Sequence, residues 1–212
     1  AKGMNTALKD FAKKKYPDSK SDLFAMFIER GFAWCKDSGF NSMVTMQSWM
    51  FLSSYEAMRE KLLQDRTLSC MVHMSNGVMG IAFGTAATVM LNNHVSNYGS
   101  SFSYCENDDI NEYGVPKQFP VENDRLKTAM PDEFKKIPGS PVAYWIDEKL
   151  RKNFEENPLL STIGVTRKGM SSGNNDKLVR LWSEVSNSKF IAGLSSREDS
   201  IKSRKKWFPY AN

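Results

Sequence analysis

The first part of the sequence predicts an α/β fold in which helices pack on a layered sheet. Segments with helical spacing of apolar residues alternate with short strand-like runs, and the connections between them are short. A loop with glycines at positions 77, 80 and 84 joins the last two strand-like runs, which predicts an antiparallel edge of the sheet. The predicted elements are helices at 4–15, 21–38 and 55–64 and strands at 41–47, 67–74 and 85–91.

The first two predicted helices are bounded by residues that favour helix ends. Pro17 disfavours helical backbone at Tyr16, so the first helix is expected to end there. Ser21 is expected to cap the second helix, with Asp22 in its first turn. The apolar stripe of the second helix predicts a face that packs in the core. This stripe consists of Leu23, Phe24, Phe27, Ile28 and Trp34.

The third predicted helix follows from a capping box and an apolar face. Ser53 and Glu56 have the spacing of a capping box, in which each side chain bonds to the backbone N–H of the other residue. The helix that they open is expected to direct Met58, Leu62 and Leu63 inward. A very short turn then leads into the next predicted strand.

The composition changes after position 95. Residues 96–135 are rich in Ser, Asn, Asp, Gly and Pro, which predicts a linker or excursion. Within it, residues 102–104 are expected to form a short edge strand. Order is expected to resume with a helix that Ser140 caps, with Pro141 at its first position, and that continues through Phe154.

The remainder of the chain is polar and contains only short β-like runs, for example at 178–181. No apolar run approaches the roughly 20 residues that a membrane-spanning helix needs. Residues 1–5 lack the apolar core of a signal peptide. The sequence therefore predicts a protein without a membrane partner and a cytoplasmic location.

Cysteine, histidine and charge patterns indicate no metal site and leave the partner open. The three cysteines are widely spaced, and His73 and His94 lie near no cluster with ligand spacing, so a structural or solvent-facing role is expected for both histidines. Lys and Arg number 29 against 24 Asp and Glu, a net charge of +5. This modest excess is compatible with a phosphate-bearing partner without demanding one.

Four segments of the sequence carry motifs that occur together, in this order, in one enzyme family. The last of them combines a glycine-rich turn, Asn-Asp and Arg-Leu-Trp. The four segments are residues 16–31, 43–54, 136–145 and 169–182. They resemble the PglX-type adenine-specific DNA methyltransferases of BREX phage-defence systems, which are related to type IIG restriction–modification methylases.

The resemblance implies methyl transfer from S-adenosylmethionine to the exocyclic amine of adenine in double-stranded DNA. It implies a fold in which residues 1–95 are the C-terminal half of a Rossmann-like, S-adenosylmethionine-dependent methyltransferase sheet. Residues 96–135 would be the linker, and residues 136–212 an α+β fragment that begins the target-recognition domain. Other proteins of the defence system are expected as further partners. The chain then resembles an internal fragment of its parent enzyme.

The sequence departs from the family in lacking its catalytic motif. No Asn-Pro-Pro-Tyr occurs, and the one Asn-Pro, at Asn157 and Pro158, is followed by leucine. In the family, an Asn side chain and a Pro carbonyl accept the hydrogens of the target amine, while an aromatic ring stacks on the extruded base. The glycine-rich cofactor loop is missing too. We therefore expect the fragment alone to be inactive and to bind S-adenosylmethionine poorly.

The resemblance implies two groups of residues near the substrates. Asp22 and Phe24 stand where the family lines the cofactor and target-base pocket, although core packing for Phe24 and a helix-start charge for Asp22 are alternatives. Met79 or Phe83 would lie near the extruded base, with simple packing as the alternative. The position where the family usually has an aromatic residue falls on Met79, which is a departure from the family's pattern.

A third group is predicted to contact DNA, because Lys and Arg neutralise phosphates and Asn pairs with an adenine edge. The alternative is that residues 173–175 form only a turn, since Asn tolerates left-handed backbone. The predicted contacts are Arg167, Lys168, Asn174, Asn175, Lys177 and Arg180.

Two other classes of function fit the same sequence. The piece could act only as a DNA-binding or interaction module, for which salt-dependent duplex binding without cofactor affinity would be diagnostic. Alternatively, the parent enzyme could combine the methylase with a restriction endonuclease. In either case an exposed sheet edge would favour self-association.

Overall fold

A computed structural model of the chain describes residues 3–118, 123–165 and 172–210. The chain divides into two compact units, Ala1–Leu159 and Leu160–Asn212. No helix in the described part is long and apolar enough to cross a membrane. The larger unit contains the sheet and the main hydrophobic core.

A five-stranded open sheet with strand order β1-β3-β2-β4-β5 organises the larger unit. Its strands are β1 (Phe40–Met46), β2 (Thr67–Met74), β3 (Thr85–Leu91), β4 (Ser100–Cys105) and β5 (Lys127–Ala129). β3 is antiparallel to both β1 and β2, and β2 is parallel to β4, so β1, β2 and β4 run in one direction. The mixed α/β class predicted from the sequence is confirmed, and the predicted bounds of β2 and β3 coincide with the observed ones. β3 is antiparallel as predicted, but it is not at an edge, because it lies between β1 and β2.

The segment predicted as a linker, 96–135, supplies two strands of this sheet. The strand predicted at 102–104 forms as part of β4, but it is not at an edge, because β4 pairs with β2 on one side and with β5 on the other. The strand is buried despite its polar composition: Ser100, Phe102 and Cys105 are fully enclosed, and Ser103 is buried as well. The Ser100 hydroxyl donates to the Leu68 carbonyl of the neighbouring strand.

Four helices flank the strands of the larger unit: α1 (Thr6–Lys15), α2 (Leu23–Trp34), α3 (Glu56–Asp65) and α4 (Glu148–Glu156). α1 ends before Pro17 as predicted. The N-cap of α2 is Asp22, not Ser21, and its carboxylate accepts from the Leu23 N–H at 2.7 Å. The capping box predicted for α3 does not form, because Ser53 lies in a separate 3-10 turn and Glu56 itself begins the helix.

The core lies between α2, α3 and one face of the sheet. Its largest enclosed side chains include one cation, Arg59, at 1% exposure beside Trp49 and Met58. The Arg59 guanidinium donates to three backbone carbonyls rather than to a carboxylate. These acceptors are Trp49 (2.9 Å), Leu52 (2.6 Å) and Gly139 (2.6 and 3.1 Å). The side chain therefore ties α3 to two separate irregular segments.

The helix predicted from Ser140 through Phe154 is largely wrong. α4 begins only at Glu148, where the Asp147 carboxylate accepts from the Leu150 N–H at 2.7 Å. Ser140 itself has left-handed backbone, with φ of 47°. The next residues are irregular because Val142, Ala143 and Tyr144 are all buried, which a helix with one apolar face does not permit. The Val142 N–H donates instead to the Met50 carbonyl.

The smaller unit holds two short helices, α5 (Asn175–Leu178) and α6 (Arg197–Ser203). No described residue in this unit is fully buried. The β-like run predicted at 178–181 does not form a strand: Leu178 ends α5, and the Val179 N–H donates to the Asn175 carbonyl. An N-capping Asn at 174 therefore outweighs the weak β preference of the residues that follow.

Replacing Gly31 by alanine is expected to lower the free energy of unfolding by about 1–3 kcal/mol. A Cβ at this position would lie 2.6 Å from Nδ2 of Asn41, which is buried and donates to the Ile28 carbonyl at 3.1 Å. This crowding opposes the gain of about 1 kcal/mol that alanine normally gives over glycine in a helix. Urea unfolding followed by circular dichroism measures the effect.

Asn41→Ala provides the control for this prediction. In that background the crowded amide is gone, so Gly31→Ala is expected to be neutral or stabilising. An equal loss in both backgrounds would show that the cost does not come from Asn41.

Candidate functional site

Three polar or aromatic side chains lie at the carboxyl ends of the strands that run in the same direction. Gln47 directly follows β1, His73 is next to last in β2, and Tyr104 is next to last in β4. In parallel α/β sheets, ligands bind outside the carboxyl ends of the strands. This edge is therefore the natural place for a site.

His73 is the centre of a buried polar chain at this edge. Its Nε2 is hydrogen-bonded to Oε1 of Gln47, and its Nδ1 lies 3.0 Å from the Tyr144 hydroxyl. Since Oε1 can only accept, Nε2 carries the proton and the Tyr144 hydroxyl donates to Nδ1. Burial lowers the pKa of His73 to about 4, so the imidazole is neutral at pH 7. Burial also raises the pKa of Tyr144, which keeps its hydroxyl a donor.

Aromatic rings surround this polar chain. The His73 ring lies 4.8 Å from Tyr104 and 6.3 Å from Trp145, measured between centroids. The Tyr144 ring stacks on Phe102 at 4.7 Å with an interplanar angle of 6°. An open cavity of about 510 Å³ lies among these groups. Its lining consists of His73, Tyr104, Asp124, Arg125, Lys127, Tyr144 and Trp145.

The charged side of the cavity is largely neutralised by its own ion pairs. Nη2 of Arg125 lies 2.5 Å from Oδ2 of Asp109, and its Nη1 lies within 4 Å of Glu106 and Asp124. The Glu106 backbone N–H, and then Arg125, lower the pKa of Asp109, which holds this pair ionised. Lys127 is exposed at the same cavity. In the described part of the chain no ion pair to Lys127 is formed.

The residues predicted to bind cofactor, Asp22 and Phe24, lie at the start of α2 and do not line this cavity. The Asp22 carboxylate caps the helix, and the Phe24 ring packs 5.6 Å from the ring of Tyr55. Burial, and then the charge of Asp22, raise the pKa of Tyr55. Asp22 thus caps a helix and Phe24 packs against a neighbouring ring, which are the alternatives that the sequence left open for them.

Met79 and Phe83, predicted near the target base, lie in the loop between β2 and β3 and are half exposed. Met79 has left-handed backbone, with φ of 57°, and its N–H donates to the Gly114 carbonyl at 2.7 Å. This loop leaves the same sheet edge as His73, but neither Met79 nor Phe83 lines the cavity.

The predicted DNA contacts fall in the smaller unit. Arg167 and Lys168 lie outside the described residues. Asn174 caps α5 through its side chain, which accepts from the Lys177 N–H at 3.0 Å, and Asn175 accepts from the Ser172 hydroxyl. Asn174 is therefore a helix N-cap with extended backbone, not the left-handed turn residue that the sequence left open as the alternative.

Lys177 and Arg180 in the same unit are exposed. The Arg180 guanidinium donates to the Asp176 and Val179 carbonyls, each at 2.7 Å. Arg180 also lines a separate cavity of about 470 Å³ within this unit, together with Trp182 and Trp207.

The sequence did not predict the group formed by His73, Tyr144 and Trp145. His73 was expected to be structural or solvent-facing, and its burial and hydrogen bonds confirm the structural alternative. Tyr144 and Trp145 are adjacent in the family-like segment 136–145, and this aromatic pair is the sequence feature that could have indicated the site. No cluster of metal-ligating side chains occurs in the described ranges.

Comparisons with known proteins show similarity to methylases. Residues 1–79 match the family model described as Eco57I restriction-modification methylase. The chain is 43% identical to the adenine-specific methyltransferase BrxX of Escherichia coli O9:H4 (strain HS), over 99% of its own length and 17% of the relative's. It is 34% identical to the adenine-specific methyltransferase PglX of Lacticaseibacillus casei (strain Zhang), over 98% of the chain and 18% of the relative.

These matches confirm the resemblance stated from the sequence: the chain is related, over nearly its whole length, to a segment of the PglX-type adenine-specific methyltransferases. It spans 17% and 18% of the length of these two curated relatives. A solved structure titled as a DrdV–DNA complex aligns with 67% of this chain and 16% of that chain, with a TM-score of 0.41 and 11% identity. That likeness is too weak to support an argument.

Proposed function

We propose that this chain is a segment of a longer adenine-specific DNA methyltransferase, which transfers a methyl group from S-adenosylmethionine to the exocyclic amine of adenine. The observation that carries the proposal is 43% identity to an adenine-specific methyltransferase over 99% of the chain. The match of residues 1–79 to a restriction-modification methylase model supports the same class of enzyme. S-adenosylmethionine is the methyl donor that the resemblance implies.

The larger unit serves, in this proposal, as the C-terminal half of a Rossmann-like methyltransferase sheet. Three strands running in one direction, with an antiparallel strand inserted between two of them, fit a mixed doubly wound sheet. β1 is an edge strand on which Phe40 and Val44 are 61% and 53% exposed. This edge offers a place for a further strand of the same enzyme, or for self-association between two copies.

The smaller unit, in the same proposal, belongs to the target-recognition domain and contacts double-stranded DNA. Residues 160–212 contain ten Lys and Arg but only four Asp and Glu, so they hold the whole positive excess of the chain. Such a local excess attracts phosphates and makes binding salt-dependent. Among the described residues, the predicted contacts that carry positive charge, Lys177 and Arg180, are both exposed.

The experiment that tests the function is methyl transfer from labelled S-adenosylmethionine to plasmid DNA. The 212-residue chain is assayed beside the longer protein that its gene encodes. We expect the longer protein to label adenine and the 212-residue chain to show none, because the chain lacks the Asn-Pro-Pro-Tyr acceptors.

The matched control is the longer protein with the Asn of its Asn-Pro-Pro-Tyr motif replaced by alanine, which should lose the activity. Methyl transfer by the 212-residue chain itself would mean that the acceptors lie within these residues. Salt-dependent DNA binding by the longer protein without any methyl transfer would instead favour a binding module.

A further inference from the structure

The cavity at the ends of β2 and β4 has the walls of a stacking site. Four rings line it: those of His73, Tyr104, Tyr144 and Trp145. Its volume, about 510 Å³, falls in the range of small-molecule sites, roughly 300–1,000 Å³. Bases of single-stranded nucleic acid bind proteins mainly by stacking on such rings, because every base presents a π-face.

The floor of the cavity is held in place before any ligand arrives. Tyr144 is buried, stacked on Phe102 and hydrogen-bonded through its hydroxyl to His73. Trp145 packs edge-on against Tyr144 at 5.1 Å but remains 53% exposed. Trp145 is thus supported by the buried Tyr144 and presents a large ring surface to solvent. A flat ligand can stack on this surface without disturbing the core.

The charges at the cavity disfavour a small free anion but leave one cation, Lys127, for a phosphate that adjoins a bound base. Asp109, Glu106 and Asp124 surround the Arg125 guanidinium, so Arg125 is poorly placed to bind a second anion. Lys127 is exposed at the cavity and available to one phosphate. The ring walls themselves are uncharged, which favours stacking over ion pairing.

We propose that this cavity binds one unstacked nucleobase of a DNA strand, with the base against Trp145 and the adjoining phosphate near Lys127. The choice of DNA as the source of the base rests on the proposed function. The residues that would hold the base differ from Met79 and Phe83, the loop residues that the sequence assigned to the target base. The proposed site is thus separate from that loop, since neither Met79 nor Phe83 lines the cavity.

The test measures binding of a short single-stranded oligonucleotide that carries one 2-aminopurine, whose fluorescence falls when it stacks on an aromatic ring. We expect the 212-residue chain to quench the probe. Trp145→Ala should weaken binding on the order of tenfold, because one stacking contact is removed. Trp145→Phe keeps an aromatic face and should restore most of the affinity, which a purely structural role would not explain.

The matched control is Trp34→Ala. Trp34 is also exposed, at 65%, but lies at the end of α2 and does not line the cavity. We expect this variant to bind like the unmodified chain. Absence of quenching by the unmodified chain, or equal losses in Trp145→Ala and Trp34→Ala, would overturn the proposal.

Competition distinguishes DNA from the other source of an adenine ring, the cofactor. S-adenosylhomocysteine, the demethylated product of the cofactor, is added to the bound probe. Displacement that disappears in Trp145→Ala would assign the cavity to the cofactor's adenosine and overturn the DNA assignment. Displacement by an unlabelled strand alone supports it.

The methyl-transfer assay separates this inference from the proposed function. If the longer protein methylates DNA while Trp145→Ala leaves probe binding unchanged, only the base-binding cavity is wrong. If binding depends on Trp145 but the longer protein transfers no methyl group, the cavity stands and the proposed enzyme does not.

Discussion

Replacing Arg59 by alanine is expected to lower the free energy of unfolding of the larger unit by about 4 kcal/mol. The substitution removes a cation that is 1% exposed and takes the Arg59 donors away from the Trp49 and Gly139 carbonyls, while the Leu52 carbonyl keeps the Tyr55 N–H. Each buried acceptor left unsatisfied costs about 1–3 kcal/mol. The cavity left by the side chain adds to this loss.

The geometry explains why a charged side chain is tolerated at this depth. Burial lowers the pKa of Arg59, while the charges of Glu56 and Glu60 raise it, and the group remains protonated at neutral pH. Its planar guanidinium reaches Gly139 with two nitrogens and two other carbonyls with a third. A lysine ammonium cannot reproduce this fork, so Arg59→Lys should recover only part of the stability.

Urea unfolding followed by circular dichroism measures both variants. Arg30→Ala is the matched control, because Arg30 is an exposed arginine whose guanidinium lies 4.6 Å from the ring of Trp34. An exposed cation–π contact contributes about 0.5–1 kcal/mol, so this control should lose no more than that. A loss of under about 1 kcal/mol in Arg59→Ala would contradict the role assigned to its hydrogen bonds.

Arg59 also marks a limit of prediction from sequence. Helical spacing correctly directs Met58, Leu62 and Leu63 inward on α3, and Arg59 lies on the same buried side. The pattern could not include it, because an arginine is normally exposed. What buries it is a set of carbonyls 7, 10 and 80 residues away along the chain. Local spacing carries no information about acceptors that only the tertiary fold brings together.

Local composition likewise predicts some of the strands but not the site, whose residues are far apart along the chain. β2 and β3 are dense in apolar and β-branched residues, so their bounds follow from composition. β4 is rich in serine, so the sequence predicted only a short edge strand at 102–104, and its place inside the sheet follows from its pairing with β2 and β5. The cavity joins His73 to Tyr144, 71 residues further along, and the irregular backbone at Tyr144 was predicted as a helix. Motif resemblance pointed to the segment at 136–145 but not to its contacts.

Acidification is expected to weaken the fold through His73, by about 3 kcal/mol between pH 7 and pH 4. Burial lowers the pKa of His73 from 6.5 to about 4 in the folded chain. Above pH 6.5 the imidazole is neutral in both states and contributes nothing to the pH dependence. As the pH falls toward 4, the unfolded chain takes up a proton that the folded chain does not, so the free energy of unfolding falls by up to about 1.4 kcal/mol per pH unit.

Comparing the unmodified chain with His73→Gln by urea unfolding at pH 7, 5.5 and 4.5 isolates this effect. The variant cannot titrate at this position, so its stability should fall less over the same range, whatever its stability at pH 7. His94 is present in both proteins, and its contribution cancels. Identical pH dependence in the two proteins would show that His73 is protonated equally in the folded and unfolded chain.

The carboxylates act in a lower pH window and do not obscure the result. Lys135, and then His94, lower the pKa of Asp132 to about 2, so its stabilising contribution is present above its usual 3.8 and is lost as the pH falls toward 2. Asp109 has a lowered pKa as well, and it too loses its contribution below its usual value. The slope above pH 4.5 that distinguishes the two proteins therefore reports the neutral, buried imidazole, which holds the Tyr144 hydroxyl at the cavity floor.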